Sequence, residues 1–372
     1  MTFKTSNLLI TFLILLFIGC TPKNKNSFSI SGKVENLTTQ YIVFSKIENL
    51  QKKTVKIIDT LSVNKRGEFN TAYLLEPNIY TLTFDKKTIQ LAIDKDQHLT
   101  IKGTSSENIS IAGSPDTELL NAYEVFRKES LNRLVSSVRK QIKELKKSGA
   151  NQTTIAELRE LEVENYNKHL IELTGFIKEN MGTSIAIYPT SIRWNGNENL
   201  PFLEALVDDF EEKRPTLEIT QKLKDKIELL KKTSVGSIIS NIEMPDSTNK
   251  IIDLDSIKKT YTLIDFWASW CPPCRTESVL LNELYTAYKS EGFEIYGISL
   301  DSKKDRWLKA LDQDKRVWAE VSTTEGFDTP IAIEYGITSL PTNFLVDSNG
   351  KIIAVNIHGK NLKEKITALF AN

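Results

Sequence analysis

One stretch constrains this chain more than any other. The apolar run Leu263-Ile264-Asp265-Phe266-Trp267-Ala268 ends in Ser269-Trp270-Cys271-Pro272-Pro273-Cys274. Downstream, Val279, Leu280, Leu284 and Tyr288 recur at a helical period. The dithiol therefore sits where a buried strand feeds a helix, and C-x-x-C in that setting reads as a redox centre. Pro272 and Pro273 suit the first helical turn, where a backbone N–H is unpaired anyway. A thiolate there meets the positive end of the helix dipole, which lowers its pKa. A fall from about 8.5 to about 7 raises the thiolate fraction at pH 7 from roughly 3% to roughly 50%. Lower nucleophilicity cuts the net rate gain to ~3-fold, so the larger effect is on the redox equilibrium.

Other uses of two cysteines fit less well. A zinc site needs two more ligands. The third cysteine is Cys20, and the three histidines, His98, His169 and His358, lack ligand spacing. A structural disulfide across two residues gains little from loop closure. No metal site is expected.

The residues Asp265 to Cys274 resemble the active site of the thioredoxin superfamily. A second signature, Ile337-Thr338-Ser339-Leu340-Pro341-Thr342-Asn343-Phe344-Leu345-Val346-Asp347 followed by Asn349-Gly350, is similar to the cis-proline loop and next strand of that fold. Within it, the chain most resembles the TlpA/ResA-like thiol-disulfide reductases of the bacterial envelope. Ser302 to Ile333 has the length of their central insertion, and Glu277 matches a glutamate common in the subgroup. The resemblance implies an α/β thioredoxin-like domain, a mixed sheet flanked by helices, over 234–372. It implies disulfide-bonded client proteins, apocytochromes c or misoxidised secreted proteins among them. It also implies a membrane thiol donor of the DsbD or CcdA kind, and no metal or organic cofactor.

The amino terminus reads as a compartment signal. Lys4 precedes the apolar run Leu8 to Ile18, which Gly19-Cys20 closes. Such a run is shorter than the ~20 residues a membrane span needs and fits a secretory signal peptide. Gly19-Cys20 resembles the lipobox of bacterial lipoproteins, with Cys20 acylated. The expected address is the Gram-negative envelope, lipid-anchored and facing the periplasm. Acylated Cys20 would leave only the redox pair as thiols.

Composition excludes more than it selects. Lys plus Arg and Asp plus Glu number 48 each, so nothing suggests nucleic-acid binding. A chain of 372 residues should hold two or three domains. After a signal at 1–19 and a polar tether at 20–27, residues 28–113 alternate apolar and polar like half-buried strands. They suggest an antiparallel β-sandwich-like domain, similar to the β-rich domain that precedes thioredoxin domains in such lipoproteins. Asn64-Lys65-Arg66-Gly67 reads as a hairpin turn. Residues 114–233 read as helical. Ser114 and Pro115 open the first helix, Gly149 closes it, and Thr154 with Glu157 forms a capping box for the second. Lys143-Glu144 and Lys146-Lys147 read as a solvated face; a partner-docking arm is the alternative.

Five positions near the dithiol need weighing. Asp265 could move a proton for Cys274 or simply end a strand. Glu277 could shuttle protons or raise thiol pKa values, or be a surface acid at a helix start. Trp270 could wall a substrate site or pack in the core; Trp267 reads as core. Pro341, if cis, would hold a loop facing Cys271 and leave the Leu340 backbone free to pair with a substrate strand; a trans loop proline is the alternative. The favoured function is a thiol-disulfide oxidoreductase of the reductase type. Rivals are a dithiol oxidase or isomerase, a peroxiredoxin-type peroxidase, and a binding or scaffold lipoprotein with a redox-sensing domain.

Overall fold

A computed structural model describes residues 27–149, 151–194 and 199–371. Eight strands come first: β1 (Ser27–Val34), β2 (Tyr41–Asn49), β3 (Thr54–Ser62), β4 (Glu68–Leu74), β5 (Asn78–Phe84), β6 (Lys87–Ile93), β7 (His98–Ser105) and β8 (Asn108–Ala112). They form two four-stranded sheets in the orders β4-β1-β7-β8 and β3-β2-β5-β6. Period-2 burial explains the packing: Phe28 and Ile30 of β1 and Leu99 and Ile101 of β7 point inward together. From the other sheet, Phe44 stacks on Tyr80 at 5.0 Å and meets Tyr73 of the first sheet at 4.6 Å.

Two expectations change. The sandwich is not wholly antiparallel, because β1 and β7 pair in parallel. The turn at Asn64–Gly67 forms, with Asn64 Oδ1 accepting the Arg66 and Glu68 amides. It is not a hairpin within one sheet, however: β3 pairs with β2 and β4 with β1, so the turn crosses between sheets. Turn chemistry sets the local bend but not which neighbour each strand finds.

Helices follow: α1 (Pro115–Leu131), a π-helical turn at Asn132–Ser136, α2 (Ser137–Lys147), α3 (Gln152–Asn180), α4 (Ile187–Thr190), α5 (Leu200–Lys213) and α6 (Glu218–Lys232). Ser114 caps α1 by accepting the Thr117 amide. The cap of α3 is Asn151, which accepts the Thr153 amide, not Thr154. The helices share one core with the second sheet. Leu120, Tyr123, Leu173, Ile177, Phe210 and Leu223 pack with Ile79 and Ala92.

The remainder comprises β9 (Glu243–Pro245), β10 (Ile251–Asp253), α7 (Leu254–Ile257), β11 (Tyr261–Trp267), α8 (Pro272–Tyr288), β12 (Phe293–Ser299), α9 (Lys304–Asp314), β13 (Ala319–Val321), α10 (Pro330–Glu334), β14 (Thr342–Asp347), β15 (Ile352–Val355) and α11 (Gly359–Phe370). This is the thioredoxin-like domain, with its mixed sheet and flanking helices. The sheet runs β13-β12-β11-β14-β15, parallel across its first three strands and antiparallel beyond. Leu281 and Leu284 of α8 and Leu362 and Ile366 of α11 cover one face. Leu254 of α7 and Ile331 and Ala332 of α10 pack on the other.

Lys226 of α6 lies at the seam with this domain, beside Tyr335 and Ile337. Burial pushes its ammonium down from 10.5 to about 8. Between those values the unfolded chain holds a proton that the folded chain has lost, so this group's contribution to stability rises with pH. Lys226→Met should be more stable than wild type at pH 7 in urea titration. That gap should shrink as pH climbs from about 8 toward 10.5. A gap independent of pH would remove Lys226 as its source.

Candidate active site

The strand β11 ends at Trp267 and Cys271 caps α8, with Pro272 and Pro273 at the first helical positions. Cys271 and Cys274 form a disulfide with Cα atoms 5.4 Å apart. Cys271 Sγ accepts the Cys274 amide at 3.3 Å, so the helix start already directs an N–H at the sulfur that would carry charge after reduction. The connecting loop is pinned at Ser269. Asp301 accepts from the Ser269 amide at 2.8 Å and its hydroxyl at 2.5 Å. Arg275 pairs with Asp314 and donates to the Ser269 carbonyl at 3.2 Å.

Both cysteines are buried, at 3% and 2% exposure, and differ in which one lines the groove. Cys271 borders an open groove of about 640 Å³ together with Trp270, Pro272 and Leu340; Cys274 does not. Trp270 is 49% exposed and meets Phe327 at 5.9 Å, while Trp267 is fully buried. The Leu340–Pro341 bond is cis. Leu340 packs against the cluster formed by Trp267, Ala268, both cysteines and Trp307.

Beneath this cluster lies a buried ion group that the motifs did not reveal. Arg316 follows α9, is fully enclosed, and donates to Asp265 Oδ2 at 2.6 Å and Glu320 Oε1 at 2.5 Å. Its guanidinium stacks on Trp267 at 4.0 Å and Trp318 at 4.9 Å. Trp267 and Trp318 donate their indole N–H groups to Glu320, each at 2.8 Å. A third arm reaches the dithiol helix: Arg316 donates to Ser278 Oγ at 2.9 Å, and Ser278 donates to the Cys274 carbonyl at 3.2 Å. Asp265 is thus tied to Cys274 through two intermediaries. The sequence signal was present in Arg316-Val317-Trp318-Ala319-Glu320, whose alternation buries Arg316, Trp318 and Glu320 along the extended run that leads into β13. Gly297 on β12 makes room, since a Cβ there would lie 2.2 Å from the Glu320 carboxylate.

Two carboxylates facing one guanidinium leave an excess negative charge if both ionise. Burial pushes Asp265 up, Arg316 offsets this only in part, and nearby Glu277 adds to it. Burial also pushes Glu320 up. Among the described residues Glu320 receives three N–H donors and Asp265 receives one. Donors favour the ionised form, so Glu320 is the better stabilised carboxylate of the two.

Glu277 is not a free surface acid. It pairs with His358 Nδ1 at 3.0 Å and accepts the Gly359 amide at 3.2 Å, joining α8 to the start of α11. Burial alone would push His358 down, but the Glu277 carboxylate outweighs it and the imidazole pKa lies above 6.5. An environment of two bare carboxylates around Cys274 is therefore not what the fold provides: Asp265 pairs with the Arg316 guanidinium and Glu277 with the His358 imidazole. Among the described residues no group of three or more His, Cys, Asp or Glu could hold a metal. Cys20 lies outside the described residues.

Comparison with known proteins divides the chain similarly. The family model for the AhpC/TSA family matches residues 235–355, and that for a domain of unknown function (DUF4369) matches residues 28–120. The thiol-disulfide oxidoreductase ResA of Bacillus thuringiensis subsp. konkukian is 33% identical over 135 residues, 36% of this chain and 76% of the relative. ResA of Geobacillus thermodenitrificans is 32% identical over 141 residues, 36% of this chain and 74% of the relative. A solved thiol-disulfide oxidoreductase from Bacteroides fragilis is 31% identical, covering 36% of this chain and 99% of its own, with a TM-score of 0.34.

Removing Arg316 should strand two buried carboxylates. Arg316→Leu is expected to cost about 3–5 kcal/mol in urea unfolding of the oxidised protein, and Gly297→Ala about 1–3 kcal/mol by crowding Glu320. In Arg316→Leu the carboxyl pKa values lie further above their unfolded values, so stability should fall as pH rises through the carboxyl range and recover on acidification. Loss of stability below 1 kcal/mol for Arg316→Leu would contradict the cluster's role.

Proposed function

The chain belongs to the ResA-like thiol-disulfide oxidoreductases, and we propose that it is a membrane-anchored reductase of client disulfides on the periplasmic side of a Gram-negative envelope. The observation that carries the direction of attack is the difference between the two sulfurs. Cys271 lines the groove and caps a 17-residue helix, whereas Cys274 lies within that helix and does not line the groove.

The chemistry follows. In the reduced protein the Cys271 thiolate attacks one sulfur of a client disulfide. A Cys271–client bond forms, the client S–S bond breaks, and the departing client sulfur takes up a proton. Cys274 gives up its proton and attacks Cys271 Sγ. The Cys271–Cys274 disulfide closes, and the second client sulfur leaves as a thiol. The client gains two electrons and two protons, and the protein ends in the disulfide form. Asp265, linked to the Cys274 carbonyl through Arg316 and Ser278, is a positioning residue for the helix that carries the dithiol. Glu277 and His358 hold the flank of α8. Trp270 forms the apolar wall for the client, and the Leu340 backbone before Pro341 pairs with its extended segment.

Regeneration needs a membrane thiol donor of the DsbD or CcdA kind, which supplies both electrons by the reverse exchange. Apocytochromes c or misoxidised secreted proteins are the client classes. Among the described residues no helix is long and apolar enough to cross a membrane. The proposed anchor is acyl chains on Cys20, supported by the short apolar run that precedes it.

Trapping tests the order of attack. With a disulfide-bonded client, Cys274→Ser should accumulate a Cys271-linked adduct visible on non-reducing gels, and Cys271→Ser should show none. Equal trapping through either cysteine would sink the assignment. For the anchor, metabolic labelling with a fatty acid should mark the wild-type chain in the membrane fraction and leave Cys20→Ala unlabelled. A mature wild-type chain without label would refute it.

A further inference from the structure

The dithiol does not open onto free solvent. Across the groove from Trp270, Cys271 and Leu340 stands α2, which contributes Lys143, Lys146 and Lys147. All three are exposed, and among the described residues none makes an ion pair. Counting its arginines, the groove is lined by five cations against one carboxylate. That carboxylate, Glu162 of α3, is buried and bridges Arg139 of α2 at 2.6 Å and Arg159 of α3 at 2.5 Å. The bridge fixes the two helices side by side, with Val138, Ile142 and Ile155 packed between them. At its other edge α3 rests on the thioredoxin-like domain, where a Cβ on Gly359 would come within 2.9 Å of the Glu160 carboxyl carbon. The basic face is thus held over the reactive sulfur by the fold.

We propose that α2 and α3 form a client-selecting arm, and that its Lys143, Lys146 and Lys147 recognise acidic side chains flanking the disulfide of a polypeptide client. The proposal rests on the thiol-disulfide reading above. To reach Cys271 Sγ, a cystine must enter this groove, and the residues on either side of it must pass beneath the lysines. The volume of about 640 Å³ suits a short peptide segment. Apolar contact with Trp270 and Leu340 is independent of the client's charge, so the lysines impose selection. Unpaired cations at a groove mouth raise the encounter rate of anionic partners by 10-fold or more at low salt, and the effect is screened as salt rises.

Single-turnover oxidation of the reduced full chain decides it, followed by tryptophan fluorescence. Two cyclic peptides share one cystine ring and differ only in Asp/Glu or Lys/Arg flanks. Wild type should react with the acidic peptide roughly 10-fold or more faster at low salt, and the ratio should fall toward 1 near 1 M salt, where screening acts within about 3 Å. Replacing the three lysines by Gln should remove the preference, and replacing them by Glu should reverse it. The neutral bis(2-hydroxyethyl) disulfide separates the two levels of the argument. Reduced wild type that cannot reduce it contradicts the thiol-disulfide reading itself. Reduction of that compound with equal rates on both peptides overturns the arm alone. Vesicles containing 30% phosphatidylglycerol test the other anionic occupant. Binding to them that is lost in the Glu variant, without any peptide preference, would assign the lysines to a lipid surface and overturn the proposal.

Discussion

Three elements of the thioredoxin-like domain meet at one guanidinium. Arg316 takes Asp265 from β11 and Glu320 from β13 and reaches α8 through Ser278, while Gly297 of β12 leaves room for the Glu320 carboxylate. A charge enclosed this deeply is tolerable only because its donors are satisfied and its flat faces lie on Trp267 and Trp318. The cluster has a directional consequence. It fixes α8 relative to the sheet at the turn that carries Cys274, so the buried sulfur is held while the outer one faces the groove. It also sets two acids against one cation beneath the dithiol, with Glu277 a further acid near Asp265.

That charge works against the helix dipole. The N-terminus of α8 favours a Cys271 thiolate, whereas neighbouring carboxylates disfavour one. A destabilised thiolate makes the reduced form harder to keep and gives a more reducing couple. The His358–Glu277 pair tempers the effect on one flank and Arg316 does so on the other. The balance is set by burial: water would screen all of these charges, but most of the groups involved are enclosed.

Legibility followed sequence distance. Ser114, Asn64 and the two prolines after Cys271 act within a few residues, and their local geometry could be read directly. The strand that carries Asp265 and the helix that carries Glu277 were equally plain. Their partners were not, because Arg316 is 51 residues from Asp265 and His358 is 81 from Glu277. Both acids therefore looked uncompensated. The same gap explains the turn at Asn64–Gly67, whose flanking strands pair with sequence-distant neighbours in different sheets. The lysines of α2 were visible as a charge run; only the packing of α3 against α8 and α11 brings them to the dithiol.

The midpoint potential of the Cys271–Cys274 couple tests the central claim most directly. Equilibration of the full chain in glutathione or dithiothreitol redox buffers, with the dithiol fraction read by thiol trapping, gives it in one titration. A reductase whose thiolate is held in check by buried acids should titrate near the thioredoxin range, about −270 mV, or below. A value near about −120 mV, where strong dithiol oxidants lie, would reverse the direction of electron flow and contradict the account.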